Sequence, residues 1–152
     1  LVISAPTELG SEQTLVYRAR HQGTPVAAVF SPVIARGYSG GIALIVGVYQ
    51  DGSISGVRVL SHKETPGLGD KIETGRSDWI LDFNGKRLDD PAPASWKVRR
   101  DGGVFDQFTG ATITPRAVVR AVKRTLGYHA GNREALFREP PKATDSEAPE
   151  NG

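Results

Sequence analysis

Two short segments of this 152-residue chain hold the residue types that do chemistry. The first is 106–114 (DQFTGATIT), where Thr109, Thr112 and Thr114 supply three hydroxyls around Gly110 and Ala111. It feeds a stretch predicted to be helical, and the start of a helix offers unpaired N–H groups and the positive end of the macrodipole. Gly110 and Ala111 let a ligand approach the backbone. The combination points to an anion, a phosphate above all, held at 109–114; a loop that merely feeds a helix cap shows the same local pattern. The second segment is 62–71 (HKETPGLGDK), in which Gly67 and Gly69 flank Leu68. Such a loop can lay a flat apolar ligand against backbone and Leu68, while Lys63, Glu64, Thr65 or Lys71 supply hydrogen bonds. A turn-rich surface loop has the same make-up.

Other chemistries find less support. The chain has no Cys, which excludes disulfide scaffolds, thiolate metal sites, iron–sulfur clusters held by Cys and cysteine nucleophiles. His21, His62 and His129 lie far apart and lack the spacing of metal ligands, so no metal site is expected. The run Gly37-Tyr38-Ser39-Gly40-Gly41 only superficially resembles the nucleophile elbow of a serine hydrolase, because it does not lead from a strand into a helix. Trp79 and Trp96 read as core or pocket-wall residues, not as stacking platforms for nucleic acid. No catalytic residue is expected.

The elements that must position the two segments follow from periodicity. Strands are predicted at 14–20, 25–33, 42–49 and 54–60, with turns at Gln22-Gly23 and at Asp51-Gly52, the latter read as a two-residue hairpin turn with positive φ values. In 54–60 the apolar positions are Ile54, Val57 and Val59. Pro66-Gly67 and Gly69 interrupt any regular element, a short helix can start at 70–74, and Ser77 caps a helical turn over 77–81. Asn84-Gly85 is a further turn, 89–94 a Pro-rich connector and 96–100 a candidate strand. A helix is predicted from Thr114, as N-cap, to Gly127, with Pro115 at its first position. Val118, Ala121, Val122 and Leu126 share its apolar face, opposite Arg116, Arg120, Lys123 and Arg124. A shorter helix is predicted at 132–138. The fold class is therefore α+β, a mainly antiparallel sheet built from hairpins with a C-terminal helix packed on it.

Charge is uneven along the chain. Residues 139–152 carry Glu139, Asp145, Glu147 and Glu150 against Lys142 alone, so the formal net charge of +2 hides 18 basic and 13 acidic residues in the body. That Pro-punctuated acidic tail lacks large apolar side chains and is expected to be disordered. The basic excess after Trp96 suits nucleic acid, a phosphorylated small molecule, an anionic membrane surface or a plain solvated face. The longest apolar run, 42–49, is too short to span a bilayer. The chain begins at Leu1 and contains no Met, so it is expected to be a processed or engineered fragment.

Together, HKETPGLGDKIE and D-x-x-T-G-A-T-I-T, with GYSGGIALIVGVYQDG and SWKVRRDGG, resemble the FMN-binding domain of the G-type subunit of the Rnf electron-transport complex. The same domain occurs in the C-type subunit of the sodium-translocating NADH:quinone oxidoreductase. The resemblance runs from roughly Tyr17 to His129 and implies an FMN-binding domain over 1–138. It implies that a flavin transferase attaches FMN through its phosphate to Thr112, the last Thr of the T-G-A-T run, with Asp106 in the acidic recognition position. Thr109 stands where many relatives carry Ser. By the same resemblance the isoalloxazine lies against 62–71, with Leu68 as apolar contact and Glu64, Thr65 and Lys71 as polar neighbours. The implied protein is an electron-transfer subunit of a membrane-bound, ion-translocating ferredoxin:NAD oxidoreductase (a translocase) with no substrate turnover of its own. Its partners are the other Rnf subunits and no nucleic acid. A missing N-terminal anchor would hold it at the inner membrane, with the soluble domain on the periplasmic side. A non-redox module that binds a phosphorylated ligand without a covalent bond is the alternative.

Overall fold

The computed structural model describes residues 2–3, 9–11 and 13–137; the expected acidic tail lies outside them. Five strands form an antiparallel sheet in sequence order: β1 (Val2–Ile3), β2 (Thr14–His21), β3 (Thr24–Arg36), β4 (Gly41–Tyr49) and β5 (Ile54–Ser61). One long helix, α1 (Ile113–Phe137), follows a stretch of short 3-10 turns. The α+β expectation of a hairpin-built sheet with a C-terminal helix is borne out. The two-residue strand β1 is an addition that periodicity does not predict.

Alternation drives the sheet. Ile42, Leu44, Val46 and Val48 on β4 are buried on one face. The buried pairs Phe30/Val33 and Ile54/Val57 break period two, and bulges reconcile them. Phe30 pairs with Val46 and Val33 with Leu44, so three steps on β3 oppose two on β4. Likewise Ile54 pairs with Val48 and Gly56 with Gly47, and the extra residue returns Val57 to the core face.

The two hairpin turns differ from each other. Gln22 and Gly23 have φ of 53° and 83°, which is the two-residue turn with both central residues left-handed. At Asp51-Gly52 the expectation needs correction. Only Gly52 is left-handed, with φ of 95°. The Tyr49 N–H donates to the Ser53 carbonyl and the Gly52 N–H to the Tyr49 carbonyl, so three residues close the loop. The Asp51 carboxylate accepts from the Ser53 N–H and hydroxyl at 2.9 and 2.7 Å, which stabilises this longer turn.

The predicted face of α1 is the buried one: Val118, Ala121, Val122 and Leu126 pack on the sheet. Its limits differ from those expected. Gly127 does not end the helix, because Leu126 and His129 on either side of it are both buried. The break comes at Asn132 (φ −128°, ψ 17°), whose Nδ2 donates to the Tyr128 carbonyl at 2.9 Å. Residues 96–100 form no strand, only a bridge at Val98 to Phe105 before a short 3-10 turn (Arg99–Asp101). The turn at Trp79–Phe83 has Asp78, not the expected Ser77, at its N-cap; the Ser77 hydroxyl, one residue earlier, accepts the Trp79 N–H at 3.1 Å. Trp79 and Trp96 are core residues, as expected: Phe83 stacks on Phe105 at 4.7 Å, with Trp96 at 5.3 Å from Phe105 and Trp79 at 5.2 Å from Phe108.

Candidate functional site

The segment 106–114 is held by a clamp that sequence pattern did not reveal. The Phe105 N–H donates to the Lys97 carbonyl at 3.1 Å, the Arg99 N–H to the Phe105 carbonyl at 2.7 Å and the Arg100 N–H to the Gln107 side chain at 3.1 Å. Asp106 is gripped twice: Arg99 Nε donates to its carboxylate at 2.7 Å, and the Trp79 indole donates to its carbonyl at 2.9 Å. Next comes a tight turn in which the Ala111 N–H donates to the Phe108 carbonyl at 3.0 Å. Gly110 has φ of 79° there, a left-handed conformation that glycine takes without penalty.

The three threonines then separate by environment. Thr109 is exposed in the turn. Thr114 is buried, and its hydroxyl donates to Glu64 Oε1. Thr112 is half-buried, and among the described residues its hydroxyl has no hydrogen-bond partner. Its carbonyl accepts the Arg116 N–H at 3.2 Å, so Thr112, and not Thr114, occupies the N-cap of α1. Pro115 accordingly sits at the third helical position, where an N–H still has no partner inside the helix. Thr112 therefore presents an accessible hydroxyl at the positive end of a helix.

The loop 62–71 comes directly against this turn. The Leu68 N–H and Gly69 N–H both donate to the Thr65 carbonyl at 3.0 Å, closing a Pro66-Gly67 turn with Gly67 at φ 81°. The Gly67 N–H donates to Asp70 Oδ1 at 3.0 Å. Leu68, 39% exposed, reaches toward Gly110: a Cβ on Gly110 would lie 3.4 Å from its Cδ2. Gly69 is packed so closely that a Cβ there would meet both Glu64 Cβ and Thr114 Oγ1 at 2.8 Å. Lys71 extends its ammonium over the Phe108 ring, 6.0 Å from the centroid. A cleft lined by Lys71, Trp79, Asp106, Phe108 and Thr109 joins the two segments on that side.

Glu64 is the bracket of the whole arrangement. Its buried carboxylate accepts from the Tyr38 and Ser39 N–H groups at 3.0 and 3.1 Å as well as from Thr114. It thus ties three segments together: the 37–41 loop, the 62–71 loop and the first turn of α1. His62 supports it from behind, Nδ1 accepting the Glu64 N–H at 2.9 Å while Nε2 meets the Glu73 carboxylate. Sequence reasoning placed Glu64 beside a ligand and overlooked Tyr38, Ser39, His62, Glu73 and Arg99. The flanking glycines were the available signal: a Cβ on Gly37 would meet Glu64 Oε2 at 2.6 Å, so the small residues mark where a carboxylate must pass.

The site thus joins a free hydroxyl at a helix start, a bare turn beside it and an apolar side chain facing that turn. Arg116, on the first turn of α1, is paired with Asp101 through two bonds of 2.7 and 2.9 Å, and that pairing holds the Asp101 carboxyl below its usual pKa.

Comparison with known proteins gives concordant matches. The FMN-binding domain family matches residues 37–127. The G-type subunit of the ion-translocating oxidoreductase complex of Pseudoalteromonas atlantica is 53% identical over 138 residues, 90% of this chain and 64% of that protein. Its counterpart in Vibrio atlanticus is 54% identical over 134 residues, 88% of this chain and 64% of that one. The chain thus spans about 64% of the length of the curated relatives it matches. Among solved structures, NqrC of Shewanella oneidensis superposes with a TM-score of 0.66 at 28% identity, over 85% of this chain and 63% of that one. The C-type subunit of the Na(+)-translocating NADH-quinone reductase of Parabacteroides distasonis, at 22% identity and a TM-score of 0.57 over 85% of this chain and 65% of its own, shares the fold.

Proposed function

The chain belongs to the FMN-binding domain family, and on that premise we propose that it carries FMN esterified through its phosphate to the Thr112 hydroxyl. One observation carries the choice of residue: of the three threonines, Thr112 alone combines a free hydroxyl with the N-cap of α1. A phosphodiester there keeps one anionic oxygen, which the first-turn amides and the helix dipole favour. The environment of Thr114 argues against attachment at that position, since its hydroxyl is buried and given to Glu64. Gly110 leaves room beside Leu68, and Leu68 offers an exposed apolar surface for the ring system. Lys71 supplies a cation on the side of Thr109 and Phe108. Glu64 acts as a positioning residue that keeps the start of α1 and the 62–71 loop in register, and Thr65 acts through its carbonyl, which closes the turn presenting Leu68. When bound, FMN supplies the electron transfer; the chain's own residues bind it, orient it and limit its reach.

The names of the relatives support a place in an ion-translocating oxidoreductase complex, as its G-type component. In this reading the complex links ferredoxin and NAD, the other subunits are the electron partners, and a flavin transferase that recognises Asp106 completes maturation. In the same reading the domain spans 1–138 and lies on the periplasmic side of the inner membrane, as part of a membrane-anchored protein. Among the described residues no helix is long and apolar enough to cross a membrane. The test is in-gel flavin fluorescence after denaturation, on protein co-expressed with a flavin transferase. Fluorescence that stays with the wild-type chain and vanishes in Thr112→Ala, with unchanged circular dichroism, is expected. Flavin that is lost from the wild type on denaturation would instead identify a module that holds its ligand without a bond.

A further inference from the structure

A cavity of about 750 Å³ opens between Gly10, the end of β3, the 37–41 loop and α1; Arg120 also borders a neighbouring cleft with Trp96 and Asp101. Arg36, Arg120 and Arg124 line the cavity, and Gly37, Gly40 and Gly41 leave the opposing backbone bare. Among the described residues that line it there are three cations and no carboxylate. Arg124 is fixed by a 3.0 Å bond from Nη2 to the Ile34 carbonyl. Burial first, and then the charges of Arg120 and Arg36, lower its pKa from the ordinary value, so the Arg124 guanidinium feels both of the others. The carboxylate of Glu64 lies behind the Gly37 wall with its oxygens already committed to Tyr38, Ser39 and Thr114.

We propose that this cavity is a second anion site, which binds a phosphate group through Arg36 and Arg120 with Arg124 as a fixed flank. A guanidinium presents a planar fork of donors that matches phosphate oxygens in pairs. Cations that converge on one opening raise its potential toward an anion. The volume exceeds that of a lone phosphate and falls in the range of small-molecule sites, so the group belongs to a larger molecule: a soluble organic phosphate or the headgroup of an anionic phospholipid. The site is separate from Thr112, because eight residues of helix at 1.5 Å each put Arg120 about 12 Å further along the axis. It shares a wall with the flavin loops, since Gly37 rests on the carboxylate that holds Thr114.

The probes are inorganic pyrophosphate, titrated calorimetrically at low salt, and phosphatidylglycerol vesicles, scored by co-sedimentation. Both are applied to the whole chain with and without flavin. Arg36→Gln and Arg120→Gln are each expected to weaken binding at least tenfold. Lys123→Gln, the same charge loss on the same helix but facing the Pro93 carbonyl, should change it less than twofold. Binding of pyrophosphate alone identifies a soluble phosphate, and vesicle binding with the same arginine dependence identifies a lipid; either supports the site. In the wild-type protein the amide resonances of Gly37, Gly40 and Gly41 should shift on titration. No binding of either probe, equal losses in all three variants, or shifts confined to 110–114 would overturn the proposal.

Discussion

Three threonines fall within 109–114, and their surroundings alone tell them apart. The Thr114 hydroxyl is one of three donors to Glu64, so Glu64→Gln forfeits at least one acceptor in a buried setting. Chemical denaturation should record a loss of about 1–3 kcal/mol, with the 37–41 loop becoming the first site of proteolysis; unchanged stability would remove Glu64 as the bracket. Gly110→Ala places a side chain at φ 79° and should cost about 1 kcal/mol. It also crowds Leu68, so flavin attachment should slow in a timed maturation assay. At this scale the sequence was half legible. The T-G-A-T run named Thr112 through resemblance, and its small residues announced a close approach. The role of Glu64 was hidden because its partners lie 26 and 50 residues away in the chain, a separation that no local pattern encodes.

At the scale of elements, periodicity identified all four long strands and the buried face of α1, because those depend on side chains a few residues apart. It misplaced what tertiary contacts decide. Gly127 reads as a stop, but the burial of His129 carries the helix on to the break at Asn132, and the bulge beside Gly47 follows from pairing with β4. Packing of this extension has a pH signature. His129 is buried, with Phe137 edge-on at 5.7 Å and Nε2 without a partner among the described residues. Burial, and next the charge of Arg133, lower its pKa to about 4, partly offset by Asp51 and a hydrogen bond with the Tyr49 backbone. The folded protein therefore resists a proton that the unfolded chain accepts below about 6.5. Stability from this group is complete above pH 6.5 and is lost as the pH falls toward 4. Denaturation midpoints should reflect a loss of about 1.5 kcal/mol between pH 6.5 and 5, and His129→Leu should flatten that slope; the same slope in both proteins would assign it elsewhere. The clamp beneath Asp106 is tested by Gly103→Ala, since a Cβ there would lie 1.8 Å from the Lys97 carbonyl oxygen. Backbone cannot yield as a flexible side chain does, so a loss of about 3 kcal/mol is expected by thermal melting. A wild-type melting curve would mean the clamp gives way freely.

Over the whole molecule, the core is built from the chain's own side chains: aromatic rings fill the region between sheet and 3-10 turns, and α1 packs on β3 and β4. Flavin-free protein should keep the far-ultraviolet spectrum of the flavin-bearing form and melt within a few degrees of it, whereas collapse of the apo transition would make FMN a structural element. The basic excess of the body was legible from composition, but the meeting of three arginines at one cavity was not, because Arg36 joins Arg120 and Arg124 only through the packing of β3 on α1. The most direct measurement is the intact mass, followed by peptide mapping, of protein made with and without a flavin transferase. A covalent tether at Thr112 predicts a gain of one FMN minus water with the transferase alone, located on the peptide that contains Thr112. An unmodified Thr112 in protein that matured beside an active transferase, or the same mass on Thr109 or Thr114, would contradict it.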